Sequence, residues 1–173
     1  MAEALDFFLD GPSSARVMEL RARLALRGIP VPAAPPSVRF ARGAAIPKRV
    51  RGQLAAELGR LVLPEIWLAV LGTILTGEPA LVLGAVTDVE LLAAHADVHD
   101  ALAGRVREPS ARYLPGSWLP HCPLTRELDA ELLADSLNTV LEVLRSVPPI
   151  RAKISSIGIT DTRSGAITPL APR

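Results

Sequence analysis

At 173 residues the chain is long enough for one domain with a sizeable core. Lys and Arg number 19 against 18 Asp and Glu, a net charge of +1 that gives no global field towards nucleic acid, and 3% aromatics exclude a surface built for stacking single-stranded bases. The one cysteine, Cys122, excludes an internal disulfide and a cysteine metal cage, and makes a reducing, cytoplasmic setting the simplest expectation.

Leu5 to Leu9 is an apolar run of strand length, stopped by Asp10-Gly11-Pro12. Ser13 or Ser14 is expected to cap a helix that buries Val17, Leu20 and Leu24, with Arg16, Glu19, Arg21 and Arg23 facing water and Gly28 ending it. Glu3 and Asp6 near the start leave no basic run of the signal-peptide kind. Four prolines between Pro30 and Pro36 break regular structure before an expected strand, Ser37 to Ala41. Pro47 suits the first position of a second helix with Val50, Leu54, Leu58 and Leu61 as its stripe. Ile66 to Val86 is the most apolar segment. Thr76-Gly77-Glu78-Pro79 interrupts it, so it is expected to be a hairpin of strands Glu65–Leu75 and Ala80–Val86 and not a membrane span.

Asp88 is expected to cap a third helix reaching about Val106, followed by a loop from Arg107 to Trp118. Asp129 caps a fourth, with Leu133, Leu137, Val140, Leu141 and Leu144 inside and Val147-Pro148-Pro149 at its end. Ile150, Ala152 and Ile154 alternate with Arg151, Lys153 and Ser155 as a half-buried strand, and Thr162-Arg163-Ser164-Gly165 turns into a last strand around Ile167. The expected order is β-α-β-α-β-β-α-β-α-β-β, an α+β fold with mainly antiparallel sheet. No glycine-rich turn of the dinucleotide or Walker type is present.

Two short runs carry the candidate chemistry. One is Trp118-Leu119-Pro120-His121-Cys122-Pro123-Leu124-Thr125-Arg126, where two prolines forbid a helix. The other is its weaker echo, Pro36-Ser37-Val38-Arg39-Phe40-Ala41-Arg42. On an extended strand His121, Pro123 and Thr125 share one face and Cys122 and Leu124 the other, so His121 and Cys122 form no nucleophile–base pair. His121 is either a general acid or base in a cleft or a half-buried histidine under a proline-rich loop. His95 and His99 are spaced for one helix face, but no third ligand accompanies them; they are expected at the solvent edge, and no metal site is expected. Asp161 and Arg163 are expected turn residues. Lys48, Arg49 and Arg51 are expected to solvate a helix face, whereas Arg39 shares a motif strand with Ser37.

The two-half plan, the Trp118–Leu124 run, Tyr113-Leu114-Pro115-Gly116-Ser117-Trp118 and the closing Ile157-Gly158-Ile159-Thr160-Asp161-Thr162-Arg163-Ser164-Gly165 resemble the 2H phosphoesterase superfamily, the 2′-5′ RNA ligase-like and cyclic phosphodiesterase proteins. The resemblance implies a single domain over residues 1–173 made of two lobes related by a pseudo-twofold axis, with helices outside two mainly antiparallel sheets and a cleft between them. It also implies two His-x-Thr/Ser motifs, whose histidines serve the attacking and leaving oxygens while the hydroxyls hold phosphate. This chain departs from that pattern. Pro123 stands where the second Thr/Ser belongs, Ser37 stands for the first histidine and Arg39 for the first Thr/Ser. Loss of one acid–base partner costs roughly 10²–10⁴-fold in rate. Arg39 can offset part of this through charge-assisted bonds to phosphate.

The resulting expectation is a degenerate phosphodiesterase-like site. His121 is its catalytic candidate, and Ser37, Arg39, Thr125, Tyr113 and Trp118 contact a phosphate-containing small molecule or an RNA end. No cofactor and no membrane partner are expected. Two alternatives remain: a repurposed enzyme using His121 alone on a non-phosphoryl substrate, which an apolar pocket of Trp67, Trp118 and leucines would favour, and a non-catalytic binding protein.

Overall fold

In the computed structural model, which describes residues 2–74, 79–145 and 148–172, eight strands form two four-stranded sheets. The first sheet holds β1 (Glu3–Leu9), β2 (Ser37–Gly43), β7 (Ile154–Asp161) and β8 (Ile167–Pro172) in the order β2-β1-β7-β8. The second holds β3 (Ile66–Ile74), β4 (Ala80–Ala85), β5 (His121–Pro123) and β6 (Ile150–Ala152) in the order β5-β4-β3-β6. Every pairing is antiparallel. The fold is therefore α+β, as expected. The Thr76-Gly77-Glu78 part of the expected hairpin turn, and Val147, lie outside the described residues.

Four helices complete the fold: α1 (Gly11–Ala25), α2 (Lys48–Leu58), α3 (Val89–Leu102) and α4 (Ala130–Leu144). The sheets do not divide the chain at its midpoint. β7 and β8 return from the C-terminal end to complete the sheet begun by β1 and β2, and β6 closes the other. The alternating strand from Ile150 is thus split between the two sheets, because Ile150–Ala152 pairs with β3 and the residues from Ile154 pair with β1. Leu5, Phe7, Val38, Phe40, Ile157 and Ile159 turn one face of the first sheet into core. Phe7 and Phe40 stack there at 3.9 Å, an aromatic pairing worth about 1 kcal/mol beyond its buried area.

Local chemistry explains most helix ends. Asp88 and Asp129 cap α3 and α4 through bonds from the Leu91 and Leu132 N–H groups at 2.8 and 2.7 Å. Replacing Asp129 by alanine is expected to destabilise the protein by about 1 kcal/mol, measured as a lower urea midpoint. α1 departs from expectation. Its N-cap is Asp10, with Pro12 in the first turn, while Ser13 and Ser14 are already helical and bond to the Arg151 and Leu9 carbonyls. α3 ends at Leu102, short of Val106, because the chain turns through Gly104 at φ +68°. Leu137 and Leu141 of α4 are 40% and 47% exposed, so the buried side of that helix is narrower than its leucines suggest.

Two charged or polar side chains expected in water are core residues. Arg21 is 2% exposed. Its guanidinium donates to the Pro123 carbonyl at 2.8 and 3.1 Å and to the Ala34 carbonyl at 2.7 Å, tying α1 to the end of β5. Burial lowers its pKa from the usual value, with Cys122 beside it acting in the opposite sense. His95 is 1% exposed and stacks on Trp118 at 3.9 Å and 7°. Both His95 and His99 approach the Phe40 carbonyl through Nε2, at 3.1 and 3.2 Å. A carbonyl only accepts, so each Nε2 carries a hydrogen. The helix face that sequence assigned to solvent therefore clamps β2.

This clamp has a pH signature. Burial, reinforced by His99, lowers the His95 pKa from 6.5 to about 4. As pH falls below 6.5 the unfolded chain takes up the proton first, so the contribution of neutral His95 is complete above that pH and is lost down to about pH 4. The full loss approaches roughly 3 kcal/mol. His95→Gln is expected to flatten this slope, seen as a smaller fall in urea midpoint between pH 7 and pH 4.5.

Candidate functional site

The outer strands of the two sheets, β2 and β5, lie against each other and bring both short motifs to one cleft. β5 is an edge strand, which is where proline is tolerated in a sheet. His121, Cys122 and Pro123 stand opposite Gly84, Leu83 and Val82 of β4. Alternation leaves His121 and Pro123 half-buried on the cleft side and sends Cys122 into the core. Burial pushes the Cys122 thiol up to about 11, so it is an unreactive core residue at neutral pH.

His121 Nδ1 lies 2.7 Å from the Leu119 carbonyl. That oxygen can only accept, so Nδ1 carries the hydrogen and Nε2 keeps its lone pair. Burial lowers the His121 pKa below 6.5; the Leu119 bond opposes this and the positive charge of Arg39 adds to it. At neutral pH the imidazole is therefore an uncharged base. It lines a cavity of about 450 Å³ with Arg42, Arg112, Tyr113, Ser117, Leu119 and Ile74.

Arg39 faces His121 from β2. Its guanidinium grips Asp6 of β1 in a two-bond fork at 2.8 and 3.0 Å. Asp6 is 3% exposed, and register places the two residues directly opposite each other. Burial works against the Arg39 charge, but the bonds to Asp6 and the Tyr113 hydroxyl alongside outweigh it, and the pKa is raised. Ser37 lies two residues away on the same strand face, half-buried, and its backbone N–H points to the Cys122 sulfur. The structure thus gathers Arg39, Tyr113 and His121, with Ser37 next to them on β2.

Trp118 and Thr125 are placed differently. Trp118 is 5% exposed, stacks on His95 and donates from Nε1 to the Arg39 carbonyl at 2.8 Å, so its indole holds β2 in place from behind. Thr125 does not share the cleft face with His121, because β5 ends at Pro123 and the chain turns inward. It is 2% exposed, its N–H donates to the Leu81 carbonyl at 3.2 Å and its Oγ1 accepts from the Leu81 N–H at 2.9 Å. Trp67 sits on β3 beneath Arg151, 5.1 Å from ring centre to guanidinium, and is no part of the cavity.

Asp6, Arg112 and Ser117 are additions that sequence reasoning did not single out as site residues, whereas Arg42 stands in the Pro36–Arg42 run and now proves to line the cavity. The signal for Asp6 was present: a carboxylate inside Leu5–Leu9 needs a partner if the strand is buried. Arg112 and Ser117 sit on the loop before β5, whose fold no periodicity specifies.

No protein-family model matches the sequence, and no curated protein matches it. Solved structures do. Usb1 of Kluyveromyces marxianus superposes with a TM-score of 0.57 over 99% of this chain and 98% of its own, at 12% identity. E. coli LigT, in a complex with 3′-AMP, gives 0.55 over 97% and 93%, at 14% identity. Both are 2H phosphoesterases. This chain has the 2H phosphoesterase fold. The near-complete coverage in both directions extends the likeness to both sheets, the helices outside them and the cleft between.

Among the described residues there is no group of histidine, cysteine and carboxylate side chains able to hold a metal. Nor is any described helix long and apolar enough to cross a membrane. Asp161 accepts from the Arg163 and Ser164 N–H groups at 2.8 and 3.0 Å, in keeping with its reading as a turn residue. Arg51, expected to solvate a helix face, instead bonds Glu3 at 2.7 Å and the Ile46 carbonyl at 3.0 Å, pinning α2 to β1.

Proposed function

We propose that this cleft binds a phosphate-containing small molecule or an RNA end, and that it hydrolyses phosphodiesters slowly because only one end of the reaction is served. One observation carries the reading: a histidine held through Nδ1 by the Leu119 carbonyl lines a cavity walled by Arg42 and Arg112. The 2H fold supports it, as does the 3′-AMP complex of LigT. In-line displacement at phosphorus sets nucleophile and leaving group on opposite sides. Here His121 Nε2 takes the proton from attacking water as the new P–O bond forms. The opposite strand offers Ser37, whose hydroxyl is too weak an acid or base, and Arg39, which is already bonded to Asp6. The leaving oxygen must then take its proton from solvent. Pro123 contributes no donor beside the phosphate.

The basic wall also weighs against a repurposed enzyme with an apolar pocket, since Trp67 is elsewhere and Trp118 is covered. A cytoplasmic setting, where RNA ends and nucleotides occur, fits this proposal. The test is calorimetry with adenosine 3′-monophosphate combined with turnover of 2′,3′-cyclic nucleotides. Binding that weakens in Arg42→Gln, with slow turnover that needs His121, supports the reading. Failure to bind the nucleotide overturns it, and rapid turnover refutes the degenerate site.

A further inference from the structure

The second sheet ends in a bare edge. β6 pairs with β3 at Ile66, Trp67 and Leu68, opposite Ala152, Arg151 and Ile150. It does not run further along β3, because Pro148 and Pro149 precede Ile150 and have no N–H to donate. From Ala69 to Ile74 no residue of β3 is buried, although the run is Ala-Val-Leu-Gly-Thr-Ile. Across the ladder, Leu81, Val82 and Leu83 of β4 are all buried. A cavity of about 290 Å³ is lined by Ala69, Val70 and Leu71 together with Leu141, Leu144 and Pro149, so no described segment covers the strand there.

The hydrogen-bonding groups of this edge follow from those of β4. The Leu81 carbonyl accepts from the Leu124 and Thr125 N–H groups, and the Ala85 N–H donates to the Pro120 carbonyl, so both residues turn their main chain towards β5. Alternation turns Val82 and Gly84 towards β3, where they stand opposite Gly72 and Val70. Leu71 and Thr73 therefore turn their N–H and C=O away from β4, and among the described residues neither finds a main-chain partner on that side.

Exposed edges are ordinarily protected by charge, proline or brevity. Ala69–Ile74 carries neither charge nor proline. Val70 is 51% exposed, and beside the edge Leu141 of α4 leaves nearly half its surface in water. We infer that this edge pairs with the same edge of a second copy of the chain, joining the two sheets through an antiparallel β3–β3 ladder. A twofold axis at Gly72 sets Leu71 opposite Thr73 of the second copy, and the free N–H and C=O groups are exchanged in both directions. On the other face it sets Val70 opposite Ile74, a β-branched pair, while the two glycines meet on the axis without side chains. No like charges meet when this strand pairs with itself. A foreign strand would satisfy the main chain but leave Leu141 in water, whereas a second copy brings its own α4 to that side. The assembly is closed: β5, the other edge of the sheet, lies against β2, so each copy offers one bare edge. Ile74 also lines the His121 cavity, so the paired strand stands beside the cleft, whatever the cleft binds.

Sedimentation equilibrium of the full chain at micromolar concentration, on the wild type, Thr73→Pro, Thr73→Lys and Leu141→Glu, tests this. The wild type is expected at twice the mass of the chain. The Thr73 N–H has no partner within the chain, so proline there costs the monomer no ladder bond, which circular dichroism verifies. It deletes one donor from each copy and is expected to raise the dimer Kd about 100-fold. Thr73→Lys places a charge on an exposed side chain of the edge, is expected to act in the same direction, and decides the matter if proline disturbs the fold. Leu141→Glu leaves the ladder intact and is expected to raise Kd about tenfold. A monomeric wild type overturns the inference and leaves the edge to a foreign strand. A dimer unchanged by both Thr73 variants overturns it too, because the copies then meet elsewhere, and a dimer weakened by Leu141→Glu alone overturns the strand pairing.

Discussion

His121→Ala is expected to lower the slow turnover of 2′,3′-cyclic nucleotides by roughly 10²–10⁴-fold, to the limit of detection. Among the described residues it is the one histidine lining the cavity. Cys122 faces the core with its thiol raised to about 11, and Arg39 is committed to Asp6. Nucleotide affinity is expected to change little, because Arg42 and Arg112 remain on the wall. The measurement is therefore kcat alongside a calorimetric Kd. A fall in affinity that matches the fall in rate would make His121 a binding residue and not a base.

The pH–rate profile adds a sign. A base must be unprotonated, and the His121 pKa is displaced below 6.5. Activity is expected to hold on descending through pH 6.5 and to fall only in more acidic solution. A limb above pH 6.5 would show that another group limits the rate.

The second large effect is on stability. Arg39→Met is expected to destabilise the fold by about 3–5 kcal/mol, because it strands the Asp6 carboxylate, 3% exposed, without its fork of hydrogen bonds. Adding Asp6→Asn is expected to restore most of this, since the uncharged amide no longer requires a cation. Urea unfolding of the two variants measures both quantities. Equal stability of the single and double variants would mean that the pair contributes only packing. The ion pair also joins β1 to β2 at the cleft, so that the Arg39 charge is already balanced there.

The residues on which sequence reasoning missed share a cause. Arg21 follows Val17 by one turn and lies on the same buried stripe, as His95 lies between Leu91 and Val98. Each occupies a core position by spacing. Polarity assigned them to water, but the carbonyls of Pro123, Ala34 and Phe40 await them from elements far along the chain. Thr125 was misplaced for a related reason. Period-two alternation was carried past Pro123, where pairing with β4 stops. Caps behaved better where they were local: Asp88 and Asp129 bond N–H groups three residues on.

Legible from residue order is whatever depends on neighbours within a turn or a strand. The strand and helix order as far as the fourth helix, the proline-bounded extended run around His121 and its face opposite Cys122 follow from period, proline geometry and residue chemistry. Which charges are already neutralised depends on contacts between elements far apart in the chain. Asp6 and Arg39, or His99 and the Phe40 carbonyl, are separated by dozens of residues and meet because β1 pairs with β2 and α3 packs on it. Electrostatic balance falls off with distance in space and not along the chain. The charge balance of the cleft and the hydrogen bonding of its histidine are therefore properties of the folded arrangement.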